Sequence, residues 1–345
     1  MLARPFSASV GACTPAKHQR NQIYQIFSDQ GRRPRLSVVG CAAQRQQQAT
    51  PPPAAGTEQE EAPGCVGRRS TLLASLQAAA ATVLVHPVWA GTPGGKPDLV
   101  VGPGGDCATI GEALARAPSG AVIEVRGGRY AERLVLTRPV TIRAAADEAV
   151  EVVWQTPEPY RATVEAGPEL GEQPGAAVLQ GLRIRHSSPS IANNYAVRLA
   201  GCSVTLADCD ITSATGSGVG IEGGAPRLLR CSIHNCQRHG VALFGDLLGD
   251  GCAAQLEDCT VVGNRLNGLL VRDGAQPAVR RCTLSGNGEW GLRLLDAGGS
   301  YEGNAIAANS RGSVGCSMLY EEVDTARMVV DNKLDRPVQF LGPKE

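Results

Sequence analysis

Aromatic side chains are scarce: three Trp, six Tyr and four Phe, 4% of 345 residues. Sugar-binding clefts are usually lined with aromatics. Residues 91–345 hold only Trp154, Trp290, five Tyr and two Phe, with no repeating aromatic column. No apolar run reaches the ~20 residues that a membrane-spanning helix needs. Net charge is zero, 33 Lys+Arg against 33 Asp+Glu, so no general pull toward nucleic acid exists. There is no Cys-x-x-Cys pair and no His/Cys ligand spacing, so neither a metal nor another cofactor is expected. Glycine is abundant instead, 42 residues without a Gly-X-Y period, which excludes collagen and points to many tight turns. Hydrophobic residues make up 43% of the chain, enough for a sizeable core at this length.

The neutrality is the sum of two unlike segments. Residues 1–90 contain nine Lys/Arg and four Asp/Glu, a net of +5; residues 91–345 hold the other 24 basic and 29 acidic residues, a net of −5. From Met1 to Thr57 seven basic side chains meet one acid, Asp29, in a stretch rich in Ala, Ser and Gln. Low acidity with scattered Arg is the composition of organelle transit peptides. A polar linker follows, Gln46–Pro63, then Arg68-Arg69, an apolar run from Leu72 to Val85, and Val88-Trp89-Ala90 before Gly91. Paired arginines, a short apolar core and small residues at a junction resemble a twin-arginine export signal. Transit-like then export-like, the order resembles the bipartite presequences of thylakoid-lumen proteins. That resemblance implies a disordered presequence over 1–90, a domain over 91–345, and delivery to the chloroplast thylakoid lumen. The competing reading is a disordered tail with a chance Arg-Arg before an Ala-rich helix.

From Asp98 onward the sequence repeats. Four segments share one template: Leu206-Ala-Asp-Cys209-Asp-Ile211, Leu228-Leu-Arg-Cys231-Ser-Ile233, Leu256-Glu-Asp-Cys259-Thr-Val261 and Val279-Arg-Arg-Cys282-Thr-Leu284. Nine residues after each cysteine stands a glycine: Gly218, Gly240, Gly268, Gly291. A further copy carries Asn304 in the cysteine slot, and a degenerate earlier one is Leu179-Gln-Gly-Leu182-Arg-Ile184. Each repeat offers three short strands with period-two alternation, and its inward face is buried only by stacking on the next copy. Asn264, Asn287 and Asn309, five residues after their column positions, predict a hydrogen-bonded asparagine stack. The glycine column predicts a corner with positive φ. Asp208, Arg230, Asp258 and Arg281, one before each cysteine, predict an alternating charge ladder. The cysteines predict a stack of small buried side chains, with disulfides involving Cys202, Cys252 or Cys236 left open.

The repeats resemble the right-handed parallel β-helix of the pectin-lyase-like superfamily. The opening supports this: Thr109-Ile-Gly-Glu112 is a capping box, with Ile110, Ala113, Leu114 and Ala117 on one helical face. A short capping helix before Ala121-Val-Ile-Glu-Val-Arg-Gly-Gly-Arg-Tyr-Ala-Glu132 resembles the start of pectinesterases, β-helix maturation proteins of copper enzymes, and the β-helix of F-box-only proteins. The resemblance covers about Leu99 to Phe340 and implies an all-β solenoid of about ten coils, on the order of 50 Å long.

The catalytic motifs of pectate lyases, polygalacturonases and pectinesterases are absent. Arg238-His239-Gly240 only echoes a polygalacturonase pair, since Gly240 belongs to the repeat. The nearest constellation is Asp208 and Asp210 with Arg230 and His234 one coil on, a group able to bind an ion or to act as acid and base; Asp208 is also a rung of the ladder. Two segments predict projections: Thr156–Gly175, rich in proline, and the insertion Gly245–Gly251. Asp246, Leu247, Leu248 and Asp250 in the latter are the candidate binding residues, and the two leucines favour a protein partner over a polysaccharide. The expectation is a non-enzymatic binding or assembly scaffold. A divergent carbohydrate lyase or epimerase is the alternative. A substrate adaptor related to F-box-only proteins is third, although 1–90 lacks the Leu-rich helical segment an F-box needs.

Overall fold

Period-two alternation gives each short strand one face to bury, and successive repeats bury it in the same way. In the computed structural model, which describes residues 95–171, 176–190, 194–245, 251–317 and 329–342, one coil runs through three strands. Val204–Ala207 lies in sheet A, Asp210–Ser213 in sheet B and Ser217–Glu222 in sheet C. The next coil sets Arg227–Leu229, Ser232–His234 and Val241–Phe244 beside them, all parallel. Repetition yields three parallel sheets of ten, nine and nine strands among the described residues. This is the expected parallel β-helix.

Inward columns fix the register. Leu206, Leu228, Leu256 and Val279 stack in sheet A. Ile211, Ile233, Val261, Leu284 and Ile306 stack in sheet B, and Val219, Val241, Leu269, Leu292 and Val314 in sheet C. All are buried. Each contributes on the order of 1.5–3 kcal/mol, and a one-residue slip would turn every one of them outward.

Helix α1, Ile110–Arg116, closes the start. Thr109 Oγ1 accepts from the Glu112 amide at 3.1 Å, and Glu112 Oε2 accepts from the Ala108 amide at 3.0 Å. The capping box therefore forms with its return arm displaced by one residue. Two more first-turn amides, Ile110 and Gly111, donate to the Glu132 carboxylate at 2.8 and 2.7 Å.

The asparagine stack is present and buried. Asn264 donates its amide and its Nδ2 to Asn287 Oδ1 at 3.1 and 3.0 Å, and Asn287 treats Asn309 Oδ1 alike at 3.0 and 2.9 Å. The column Cys209, Cys231, Cys259, Cys282 continues into Asn304, which accepts from the Cys282 amide at 2.8 Å, and then Asn332.

The glycine column serves a different purpose from the expected one. Gly218, Gly240, Gly268 and Gly291 are not at positive φ. They are needed because space is missing: a Cβ on Gly268 would stand 2.7 Å from Gly291 O and 2.8 Å from Asn287 Nδ2. Positive φ falls instead on Asp208, Arg230, Asp258 and Arg281, at 54°, 51°, 55° and 51°. Nor is Thr156–Gly175 one projection. Val164–Ala166 within it is a strand of sheet C, paired with Leu134–Leu136 and Tyr195–Ala200. The candidate binding residues Asp246, Leu247, Leu248 and Asp250 lie outside the described residues, as does the 1–90 presequence.

Candidate functional site

The structure divides the four candidate residues into two groups. Asp208 and Arg230 sit at the corner between sheets A and B. Arg230 Nε and Nη2 donate to the two Asp208 carboxylate oxygens at 2.7 and 2.9 Å. Arg281 grips Asp258 in the same way at 2.8 and 3.0 Å, and its hydrogen bonds hold the Asp258 carboxyl below its usual range. The alternating ladder is therefore real. Its pairs are exposed, so each contributes at most about 1 kcal/mol. Gly303 interrupts it, leaving a shallow hollow lined by Glu257, Arg280, Arg281, Glu302 and Asp331.

Asp210 and His234 lie on the outer face of sheet B, joined by Arg185, which the sequence reading missed. Asp210 Oδ1 stands 2.6 Å from Arg185 Nη1 in an ion pair lacking hydrogen-bond alignment, and the same Nη1 donates to the Asp210 carbonyl at 2.9 Å. Asp210 Oδ2 is 3.2 Å from His234 Nε2, and Asn235 Nδ2 is 3.1 Å from His234 Nδ1. This network assigns the ring proton to Nε2, leaving Nδ1 as acceptor. Arg185 Nε also faces Glu151 at 3.6 Å, and Glu151 faces Arg129 at 3.7 Å. A charge chain thus crosses five successive coils. Burial acts to raise the Asp210 carboxyl, but the adjacent Arg185 guanidinium and the His234 ring outweigh it and hold it low. A carboxylate so held is a weak base.

Three of the scattered aromatics, Tyr195, Phe244 and Trp290, lie on the outer face of sheet C. The Tyr195 ring lies against Gly220, and the Trp290 ring lies against Gly312 and Gly315. Arg293 sits 6.0 Å from the Trp290 ring, and Arg272 sits 5.8 Å from Phe244. Tyr195 and Trp290 share one column of the coil, but Ser217, His239 and Asn267 stand between them, so the sequence shows no aromatic column; Phe244 lies in another, beside Glu222 and Arg272.

The nine described cysteines are free and buried. Burial pushes Cys202 and Cys252 up to about 11 and Cys236 up to about 12, which suppresses the thiolate that exchange and metal binding require. No cluster of three or more His, Cys, Asp or Glu able to hold a metal occurs among the described residues.

The family model described as "Right handed beta helix region" matches residues 172–318. With the three parallel sheets, it defines a right-handed parallel β-helix. Among solved structures the chain is similar to a pectin methylesterase from Aspergillus niger, at 14% identity and TM-score 0.41, covering 73% of this chain and 88% of that one. It is similar to a pectin methylesterase from carrot, at 14% and 0.43, covering 72% and 83%. It is also similar to the periplasmic alginate epimerase AlgG, at 11% and 0.33, covering 68% and 83%. The likeness is one of fold. No curated protein matches the chain.

Proposed function

We propose that residues 91–345 form a β-helix binding or assembly scaffold for a protein partner in the thylakoid lumen, delivered by the presequence in 1–90. One observation carries the non-enzymatic part. Asp208 and Asp210, the carboxylates that lyase or epimerase chemistry would use, are each held by a guanidinium from a neighbouring coil. The lumenal part rests on the order of the Arg-rich segment, Arg68-Arg69 and the Leu72–Val85 run. The test has two arms. The purified protein is incubated with pectin, polygalacturonate and alginate, and no cleavage, de-esterification or epimerisation is expected. The N-terminal residue and location of the endogenous protein are then determined, and a chain starting near Gly91 inside thylakoids is expected. Turnover would overturn the scaffold; a cytosolic chain retaining 1–90 would overturn the address.

One observation favours a second reading, a carbohydrate lyase or epimerase. The Asp210–His234 pair is partly exposed and leaves Nδ1 as a proton acceptor once Asn235 moves. On that reading Asp210→Asn abolishes turnover while the protein stays folded.

A further inference from the structure

A second ladder runs along the entry to sheet C. Ser217, His239, Asn267 and Trp290 each directly precede an inward glycine. From His239 onward, the backbone N–H at each rung donates to the side chain one coil earlier, whereas the Ser217 N–H donates to the Asn194 carbonyl at 2.9 Å. His239 N donates to Ser217 Oγ at 3.3 Å, Asn267 N to His239 Nδ1 at 3.3 Å, and Trp290 N to Asn267 Oδ1 at 3.1 Å. Asn267 Nδ2 also lies 3.2 Å from His239 Nδ1. Two N–H donors from Asn267 thus converge on one ring nitrogen, and only the neutral imidazole offers a lone pair there.

We infer that His239 is an acid-sensitive link in the coil stack: protonation at Nδ1 turns the acceptor into a donor, expels the Asn267 amide and carboxamide, and loosens the corner between sheets B and C. A solvent proton adds to the Nδ1 lone pair; only hydrogen bonds are lost. The surroundings oppose that proton. Ser217 and Asn267, from the coils on either side, are uncharged. The charged groups acting on the ring are Arg238, its chain neighbour, and Arg272 on the next strand of sheet C, both cationic. Burial first, and then these two arginines, depress its proton affinity to about 4.

His186 reinforces the device at the same corner. It is 2% exposed, and its Nδ1 is 3.0 Å from Thr163 Oγ1. That hydroxyl donates to Arg185 O at 3.1 Å, so it accepts from Nδ1–H and leaves Nε2 as the site to be protonated. Trp154 lies beside it in register, and Asn194 is the side chain that favours its charged form, outweighed by burial. The charged residues along its own strand are Arg183 and Arg185, both cationic.

The folded value lies below the ordinary 6.5, so the stabilisation is complete above that pH and is lost as pH falls toward 4. Urea unfolding of the full chain between pH 8 and 4.5 tests this. The unfolding equilibrium constant is expected to rise by as much as about tenfold per pH unit for each such histidine. His239→Asn installs the acceptor that Asn267 already supplies one rung on, and is expected to remove one proton's worth of that slope. An unchanged slope in His239→Asn would overturn the inference. Should that variant fail to fold, an NMR titration of wild-type His239 decides: a midpoint well below 6.5 supports the link, and a midpoint at or above 6.5 refutes it.

Discussion

Removing one side chain from the asparagine stack asks whether buried hydrogen bonds hold the coils together alongside the apolar columns. Asn287 is fully buried; its Oδ1 accepts from the Asn264 amide and Nδ2, and its Nδ2 donates to Val261 O at 3.2 Å and Asn309 Oδ1 at 2.9 Å. Asn287→Ala leaves the Asn264 amide and one Asn264 carboxamide proton without an acceptor. Each orphaned buried donor costs about 1–3 kcal/mol, so the pair costs about 2–6, with ~4 kcal/mol as the central expectation. The small cavity adds less than this. Set against a total stability of about 5–15 kcal/mol, that is a large fraction. At a urea slope of about 3 kcal/mol per molar, the midpoint of the full chain falls by roughly 1 M or more. Hydrogen exchange at the Asn264 amide should accelerate in parallel, since the rung opens where its acceptor is gone. A loss below about 1 kcal/mol at unchanged slope would refute the reasoning, because the orphaned donors would then be finding water.

Gly268→Ala should destabilise by about 1–3 kcal/mol through overpacking against Gly291 O and Asn287, although φ there is not positive; a neutral urea midpoint would sink the space argument. Gly274→Ala is the contrast, since its φ is 80° and nothing lies within 4 Å of the added methyl, so the cost is that of backbone strain alone, about 1 kcal/mol. Cys282→Asn places in the cysteine column the residue found at Asn304 and Asn332, with its Oδ1 opposite the Cys259 amide that now meets Cys282 Sγ at 3.4 Å. Its stability in urea should match or exceed wild type, and a loss of more than about 2 kcal/mol would show that the column requires sulfur.

The coil unit was legible because its positions recur. Leu-x-x-Cys-x-Ile repeated at a steady offset reads as one strand, one corner and the next strand, and the stacked asparagines followed from the same alignment. The glycine column was legible as a column but not in its purpose. Glycine is used where φ is positive and also where a Cβ has no room, and the two uses look alike in sequence. What separates them is the next coil's asparagine, Asn264 beneath Gly240 and Asn287 beneath Gly268. The positive-φ corner was hidden because Asp and Arg occupy it, and their alternating charge drew the reading toward register alone. Thr156–Gly175 was misread because its strand, Val164–Ala166, is three residues long and flanked by turns. Arg185 was hidden by the diagonal of its contact: aligning Ile184 with Ile211 sets Arg183 against Asp210 and Arg185 against Thr212, yet the ion pair is made by Arg185.

The ladder at the entry to sheet C shows why role and residue type separate in this fold. At three successive rungs the coil offers a side-chain acceptor to the next coil's amide before the inward glycine, and Ser217, His239 and Asn267 supply it as a hydroxyl, an imidazole and a carboxamide. A column of unlike residues reads as noise, yet all three hold a neutral acceptor at the same height above the next rung. Geometry constrains the lone pair, and sequence is free to choose its carrier. Of the three carriers only imidazole can lose its lone pair to a proton in mild acid. Acid sensitivity therefore belongs to the His239 rung, and an asparagine there keeps the coil while removing the response.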